Sequence, residues 1–523
     1  MTEAHPVISY YVKRAVKNGS TLIVCDPRRI DLVNWATLYV QHTIGTDVAY
    51  INGLINEIFK NGWEREEYLQ KYTENPEVIR ELAATYPVER ASEICGVPVE
   101  LMRKVAQIIG QAESVSVCYT LGITEHICGT DNVKALANLQ MVLGNIGKVN
   151  AGLNPLRGQN NVQGACDMGA LPDVYHNYQP VNSRDVAQKM AKAWGVPQLS
   201  TQPGYKMPTM LQKALDGGTK VLYCLGDNTV QSEPHMAHTI EQIKALELFI
   251  VCDIFPTITS KYAHVIFPDT AWSEEEGTFT NTERRMQRVR KAVVPPGEVR
   301  SHWWVLQELG KRLGHDLDFT SARAIWKDML STSTGFAGIT WERVNQTGIQ
   351  WPCPTKEHPG TPFLHSMGRF VRGKGLFHKV EWTPPAEWAD AEYPFILSTG
   401  RRLWHYHTRT QTGNSEGFDR IFPEELIEIN PEDARALGVE SGDMVNVAGR
   451  RGQIVVKAWV TDRSPKGVCW CAFHFAEACA NVLTNNAFDP VTETAEYKVS
   501  AVKIKRVTKG TPWPSMITRQ ARP

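Results

Sequence analysis

The sequence predicts an α/β protein made of two doubly wound units and closed by a β-rich C-terminal domain. Three observations carry that reading. The tetrapeptide Ile-Val-Cys-Asp occurs twice, at 23–26 and 250–253, each time at the carboxyl end of an apolar run. The stretch from Lys220 to Thr257 runs strand, Gly-Asp-Asn loop, helix, strand, the order of a nucleotide-binding β-α-β unit. After Pro385 the pattern changes to short alternating strands with glycine turns, as in a small barrel.

The elements follow in order. "HPVISYYVKRAVKNG" has helical spacing, with Pro6 near its start and Gly19 at its end. Ser20–Arg29 is a continuous apolar run ended by Asp-Pro, as a strand buried on both faces requires. A doubly wound unit normally opens with a strand, so the first copy is expected to lack its opening strand. "PVELMRKVAQIIGQAE" and "DNVKALANLQMVLGNIGKVNAG" read as packing helices, the second capped by Asp131 and ended by glycines. Pro352–Pro385 reads as connectors rich in proline, glycine, histidine and lysine. "PFILSTGR", "DMVNVAGRRGQIVVKAWVTD", "GVCWCAFHF" and "YKVSAVKIKRV" supply the strands of the last domain. The Rossmann-like units and the barrel are placed at 1–158, 159–390 and 391–523.

Composition limits the function. The 523 residues exceed a single core. The hydrophobic share of 42% and charged share of 21% are those of a soluble globular protein. Lys+Arg and Asp+Glu are both 56, so no global field attracts nucleic acid or an anionic membrane. No apolar run reaches membrane-spanning length, and the start lacks a signal-peptide layout, so a cytoplasmic protein is expected. The 11 cysteines form no C-x-x-C, which argues against a zinc or iron–sulfur framework within this sequence.

Several stretches carry chemistry. Asp26 and Asp253 end the paired strands, where a carboxylate accepts hydrogen bonds from ribose hydroxyls or a guanine edge, or else forms a turn. "LGDNTVQSE" offers donors to a phosphate at a helix start, or is an ordinary strand-to-helix turn. Pro268–Arg288 reads as a loop held by its own hydrogen bonds, or as a solvated charged face. Arg401, Arg402, His405, His407 and Arg409 converge as an anion site or a basic surface turn. No cysteine or carboxylate supports His405 and His407 as metal ligands. Asn154–Tyr175, full of amides and glycines, shows no helical face until after Asp167 and suits the wall of a polar ligand. Arg157 is its one cation, placed to grip a carboxylate or to order the loop through amides.

These residues carry a resemblance. "GLNPLRGQNNVQGACDMGALPD" resembles the signature of formate dehydrogenase catalytic subunits in the molybdopterin oxidoreductase superfamily. The likeness continues through "YCLGDN", "FIVCDIFPTITSKYAHVIFPDTAW", "EEGTFTNTERRMQR", "STGRRLWHYHTRT" and "FHFAEACANVLTNNAFDP", over essentially the whole chain. It implies a double-psi type C-terminal barrel, a molybdenum or tungsten ion on two pterin guanine dinucleotides, and reversible oxidation of formate to carbon dioxide. Arg157 matches the arginine that grips formate, and Gln159 a cofactor contact. Asp26, Arg28 and Asp47 match one dinucleotide site; Asn228, Ser232, Cys252, Asp253 and Asp269 match the other. Leu121 and Glu125 match a segment beside the pterin. Arg401, His407, Phe473, Asn481, Tyr497 and Lys498 match the cap from the barrel. Glu125 stands where a glutamine is usual, and His302 where an aspartate is usual.

Relatives of this kind also carry an N-terminal domain with a 4Fe-4S cluster, then a cysteine–histidine or selenocysteine–histidine pair at the metal. The sequence starts after that pair, so Met1 is expected to be internal to a longer polypeptide, or the protein to be split over two chains. No metal ligand is expected within the 523 residues, and they are expected to be inactive alone. Electrons would leave through the cluster to iron–sulfur partner subunits. The alternatives are a non-catalytic cofactor-binding module and another, nitrate reductase-like, oxidoreductase of the superfamily.

Overall fold

The computed structural model describes residues 1–508. The chain opens with α1 (Pro6–Lys17), which leads to β1 (Ile23–Cys25) and β2 (Leu38–Val40). These strands pair in parallel, with Ile23 opposite Leu38. α2 (Asp47–Lys60) is the central helix of the first core, and its Val48, Ile55 and Ile58 are fully buried. Burial of each such side chain stabilises the unit by about 1.5–3 kcal/mol. α3 (Val99–Gln111), β3 (Ser116–Tyr119), α4 (Gly129–Val142) and β4 (Gly152–Pro155) complete this unit, with β3 and β4 parallel. Phe377 and Val380, from the far connector, pack into the same core.

Two local expectations are corrected. Asp131 does not cap α4: the helix already starts at Gly129, and Asp131 lies in its first turn, 3.2 Å from Lys134. The chain enters tightly there, since a Cβ on Gly129 would lie 2.2 Å from the Thr124 carbonyl oxygen. The stretch Asn154–Tyr175 turns helical earlier than expected: α5 (Val162–Asp167) is a short helix with Gln163 and Asp167 on one face.

The second unit is a three-stranded parallel sheet in the order β7-β6-β5, from β5 (Val221–Leu225), β6 (Leu248–Asp253) and β7 (Val265–Pro268). Its crossover helix is split into α6 (Thr229–Ser232) and α7 (Met236–Lys244), because Pro234 has no N–H to continue the first turn. Pro268–Arg288 is also not the loop expected: β8 (Gly277–Thr280) and β9 (Arg285–Val289) form an antiparallel hairpin. Met286 supplies its buried anchor, while the Glu-Arg turn between the strands hides the alternation. α8 (His302–Arg312) follows.

The C-terminal strands are β10 (Phe395–Gly400), β11 (Leu426–Ile429), β12 (Met444–Gly449), β13 (Gln453–Val460), β14 (Val468–Ala472) and β15 (Ser500–Arg506). They close a barrel in the order β10-β14-β11-β13-β12-β15. β10 with β14 and β11 with β13 are parallel pairs, and the remaining neighbours pair antiparallel. One apolar core runs from Phe249 and Val251 of the second sheet to Leu397 and Val445 of the barrel. The barrel is therefore fixed on the second unit. No helix among the described residues is long and apolar enough to cross a membrane.

Candidate functional site

A cavity of about 1510 Å³ lies where the first unit meets the barrel. Eight expected residues line it: Asp26, Arg28, Asp47, Leu121, Glu125, Arg401, Phe473 and Lys498. Asp26 ends β1 and accepts from the Arg28 backbone N–H at 2.9 Å; burial pushes its carboxyl above the ordinary range. Asp47 starts α2, 3.1 Å from His42 Nε2. Burial works against both charges, but each partner's charge and hydrogen bond outweigh it. The Asp47 carboxyl is lowered and the His42 imidazole raised.

The barrel reaches into this cavity with Arg401, Phe473 and Lys498. The Arg401 guanidinium lies 5.3 Å from the Phe473 ring centre, and His407 packs edge-on against the same ring at 5.2 Å. Burial, then the neighbouring Arg401 charge, pushes the His407 imidazole down to about 3, so it is neutral at pH 7. Lys498 Nζ pairs with Glu125 at 2.6 Å and donates to the Thr399 carbonyl at 3.0 Å.

The five-residue cation cluster is only partly free. Arg402 is buried against Glu425 and Glu428, at 3.4 and 3.2 Å. Arg409 is held by Asp419 at 2.6 Å, and His405 is bonded to the Phe422 carbonyl at 2.7 Å. A buried guanidinium needs a carboxylate, and the barrel strand supplies it. Arg401 lines the cavity, and His407 packs on the cavity-lining Phe473. Arg28 lines the cavity, but its guanidinium is fork-bonded to Glu428, with both distances 2.7 Å, and stacks on Trp470 at 4.1 Å. It latches the first unit to the barrel.

Asn228, Ser232, Asn481 and Tyr497 form a second group between the second unit and the barrel. Asn481 Nδ2 donates to the carbonyls of Gln231 and Ser232 at 2.8 and 3.0 Å, and the Tyr497 hydroxyl donates to the Ser232 carbonyl at 2.9 Å. Asn228 Oδ1 accepts from Thr259 Oγ1 at 2.7 Å. A third group lies at the carboxyl ends of β6 and β7. Cys252 Sγ is 3.2 Å from His302 Nδ1, which is 3.8 Å from Asp269 Oδ2; Asp253 adjoins them. Burial raises the Cys252 thiol to about 12, raises the Asp269 carboxyl and lowers the His302 imidazole. The trio has ligand spacing among the described residues, and burial works against the charged form of each of its three groups.

Arg157 and Gln159 stand beside the cavity, between its lining residues Leu156 and Gly158 and the barrel loop. Arg157 Nε donates to Gln163 Oε1 at 3.0 Å. Gln163 donates in turn to Asp167 at 2.8 Å, and Asp167 accepts from the Tyr178 hydroxyl at 2.9 Å and from Trp351 Nε1 at 2.8 Å. The Arg157 carbonyl contacts His5 Nε2 at 2.7 Å. Tyr406 holds the neighbouring turn: its hydroxyl accepts from Asn160 N–H at 2.9 Å and donates to Gln159 Oε1 at 3.2 Å. Sequence reasoning missed Gln163, Asp167, Tyr178, Trp351 and Tyr406 as supports. The Gln163–Asp167 pair had a readable i, i+4 spacing; the others come from distant segments and had no local signal.

Two α/β units presenting strand ends, with a barrel loop of arginine and neutral histidine over them, define a protein that binds large nucleotide-like ligands across two sheets. The comparisons give the family. Residues 1–312 match the family described as Molybdopterin oxidoreductase, and residues 395–501 match the Molydopterin dinucleotide binding domain. The chain belongs to the molybdopterin oxidoreductase family. It is 43% identical over 509 residues to the F420-dependent formate dehydrogenase subunit alpha of Methanocaldococcus jannaschii, covering 97% of this chain and 75% of that one. It is 35% identical over 511 residues to formate dehydrogenase H of Escherichia coli K12, covering 97% and 71%. Acetylene hydratase from Pelobacter acetylenicus shares the fold, with a TM-score of 0.72 and 17% identity over 95% of this chain and 75% of that one.

Proposed function

We propose that this chain is the cofactor-binding catalytic portion of a formate dehydrogenase that oxidises formate reversibly to carbon dioxide, two electrons at a time. The observation that carries the reading is Arg157: a guanidinium beside the cavity, fixed through one nitrogen by Gln163, whose two terminal nitrogens have no hydrogen-bond partner among the described residues and could fork onto a carboxylate. Formate is the smallest carboxylate, and a planar fork orients it as well as binding it.

The residues fit a bis(molybdopterin guanine dinucleotide). Buried atoms without a partner among the described residues include His302 Nε2, Thr270 Oγ1, Asn481 Oδ1 and His42 Nδ1. Buried polar atoms ask for a bonding partner, and a purine edge, ribose and diphosphate offer one to each. Asp26, Arg28 and Asp47 would hold one dinucleotide. Asn228, Ser232, Cys252, Asp253 and Asp269 would hold the other. Leu121, Glu125 and Gln159 would contact the pterins, under a cap of Arg401, His407, Phe473, Asn481, Tyr497 and Lys498. The bound group supplies a molybdenum or tungsten centre that accepts two electrons. Arg157 would bind and orient the substrate; Arg401 would offer positive charge to a phosphate; Lys498, paired with Glu125, would offer a donor within a neutral pair; His407, neutral, would donate or accept without adding charge. The three-part division at 158 and 390, iron–sulfur partners for the electrons, and a cytoplasmic location belong to the same reading.

The test is Arg157→Lys in the complete complex, assayed with formate and with nitrate. Loss of formate turnover with retained cofactor supports the reading. Unchanged formate turnover, nitrate turnover in its place, or bound cofactor with no turnover by the parent complex overturns it.

A further inference from the structure

Cys252, Asp269 and His302 meet at one end of the second sheet. Cys252 lies one residue before the end of β6, Asp269 directly follows β7, and His302 opens α8. Parallel pairing sets Phe267 opposite Cys252, and the Asp269 N–H then donates to the Asp253 carbonyl at 3.1 Å. One ligand atom from each of the three side chains lies within 4.8 Å of the other two. Cys252 Sγ is 3.2 Å from His302 Nδ1, which is 3.8 Å from Asp269 Oδ2. A tetrahedral zinc-type ion with sulfur at about 2.3 Å and nitrogen and oxygen at about 2.0 Å keeps such donors about 3.3–3.6 Å apart. The two separations come within about half an ångström of that.

Burial works against each charged form taken singly: it raises the thiol and the carboxyl and lowers the imidazole. The charged neighbours are carboxylates as well. Besides burial, Asp269 and Asp253 act on the Cys252 thiol, and Asp227 and Asp269 act on Asp253. A divalent ion held by one thiolate, one carboxylate and one neutral imidazole carries no net charge, so it suits the same burial that each group alone resists. A sulfur, nitrogen and oxygen donor set selects a zinc-class ion over magnesium or calcium, which take oxygen ligands. Two hydroxyls adjoin the trio: Thr270, the residue after Asp269, and Tyr223, whose ring packs edge-on against His302 at 5.7 Å. Both are buried without a hydrogen-bond partner among the described residues. A water completing the ion's tetrahedron would offer them one.

We propose that Cys252, Asp269 and His302 form a three-ligand site for a divalent transition metal of the zinc class, filled while the chain is free of dinucleotide. On binding, the Cys252 thiol gives up its proton to solvent and the thiolate takes the metal. Metal and second dinucleotide claim the same Cys252 and Asp269, so each excludes the other; that exclusion alone rests on the proposed cofactor. The ion neutralises this corner of the second unit until the cofactor displaces it.

The test is optical titration of Co2+ into the 523-residue chain prepared without cofactor. One equivalent is expected to bind, giving the visible bands of tetrahedral cobalt and a thiolate-to-cobalt charge-transfer band, both bleached by Zn2+. Cys252→Ser should remove the charge-transfer band. His302→Asn and Asp269→Asn should each weaken binding by at least the roughly 10- to 100-fold that loss of an outer-shell partner costs. If Cys252→Ser fails to fold, the other two variants decide. The proposal is overturned by a parent chain without the charge-transfer band, or by equal affinity in His302→Asn and Asp269→Asn. A band that survives Cys252→Ser also overturns it, because the ion then sits on another thiol such as the exposed Cys25 or Cys118. The cofactor-loaded subunit should take no cobalt here. The same band in that subunit keeps the metal site and overturns the assignment of Cys252 and Asp269 to the dinucleotide.

Discussion

Replacing Arg157 by lysine keeps the charge and removes the fork. In the structure the arginine uses Nε for Gln163 at 3.0 Å, and its two terminal nitrogens have no hydrogen-bond partner among the described residues. A lysine ammonium has neither the Nε anchor nor the parallel pair. On the proposed reading one charge-assisted hydrogen bond to formate is lost, worth about 1.5–3 kcal/mol. At about 1.4 kcal/mol per tenfold, kcat/KM for formate falls by roughly 10- to 150-fold. Overall stability is expected to change little, because the side chain is only half-buried. The assay is formate-dependent dye reduction by the complex carrying the variant, with metal and pterin contents measured alongside. A variant within about threefold of the parent, at equal cofactor content, would refute the assignment of Arg157 as the substrate's anchor.

The support of that arginine is testable separately: Gln163→Leu should lower formate kcat/KM by about tenfold, the effect of one lost hydrogen bond of about 1.5 kcal/mol, with cofactor content unchanged. Glu428→Gln leaves Arg28 and Arg402 buried without their shared carboxylate and should cost about 3–5 kcal/mol in chemical unfolding. The His42–Asp47 pair should shape the pH dependence of stability. The raised imidazole contributes fully below its ordinary 6.5 and loses that contribution as pH rises through its folded value. The lowered carboxyl contributes above its ordinary 3.8 and loses that as pH falls through its folded value. Unfolding midpoints of His42→Asn across pH should show both slopes flattened. Glu125→Gln frees Lys498 from its carboxylate partner, adds one positive charge to the site, and should raise the metal centre's potential in a spectroscopic redox titration.

The fold was readable where one physical signal dominates. The repeated Ile-Val-Cys-Asp did mark strand ends, since Asp26 follows β1 and Asp253 closes β6, but β1 is not buried on both faces as expected: Val24 is buried and Cys25 is exposed. Barrel strands β12 and β13 were legible from their alternation, whereas Cys469, Trp470 and Cys471 of β14 are all buried and the strand reads as a continuous run. The β8–β9 hairpin was hidden because its strands are only four or five residues long and charged residues fill the turn. The helix α5 was hidden because its glycine and aspartate have low helical preference, and distant groups, Tyr178 and Trp351, hold its polar face. The Arg401–Arg409 segment shows the limit most clearly. Charge density suggested an anion site, but only tertiary structure shows that Arg402 and Arg409 are already committed to buried carboxylates. The Arg28 latch to Glu428 spans 400 residues and leaves no trace in local pattern.

On the proposed reading this chain holds the cofactor of a formate-oxidising enzyme of the molybdopterin family. The most direct measurement is on the native complex purified from its source: formate-dependent dye reduction, metal content, and the guanine nucleotide released by acid hydrolysis. Turnover is expected, with one molybdenum or tungsten and two guanine nucleotides per copy of this chain. A complex with that cofactor that leaves formate unoxidised, or one that oxidises formate without it, would contradict the account.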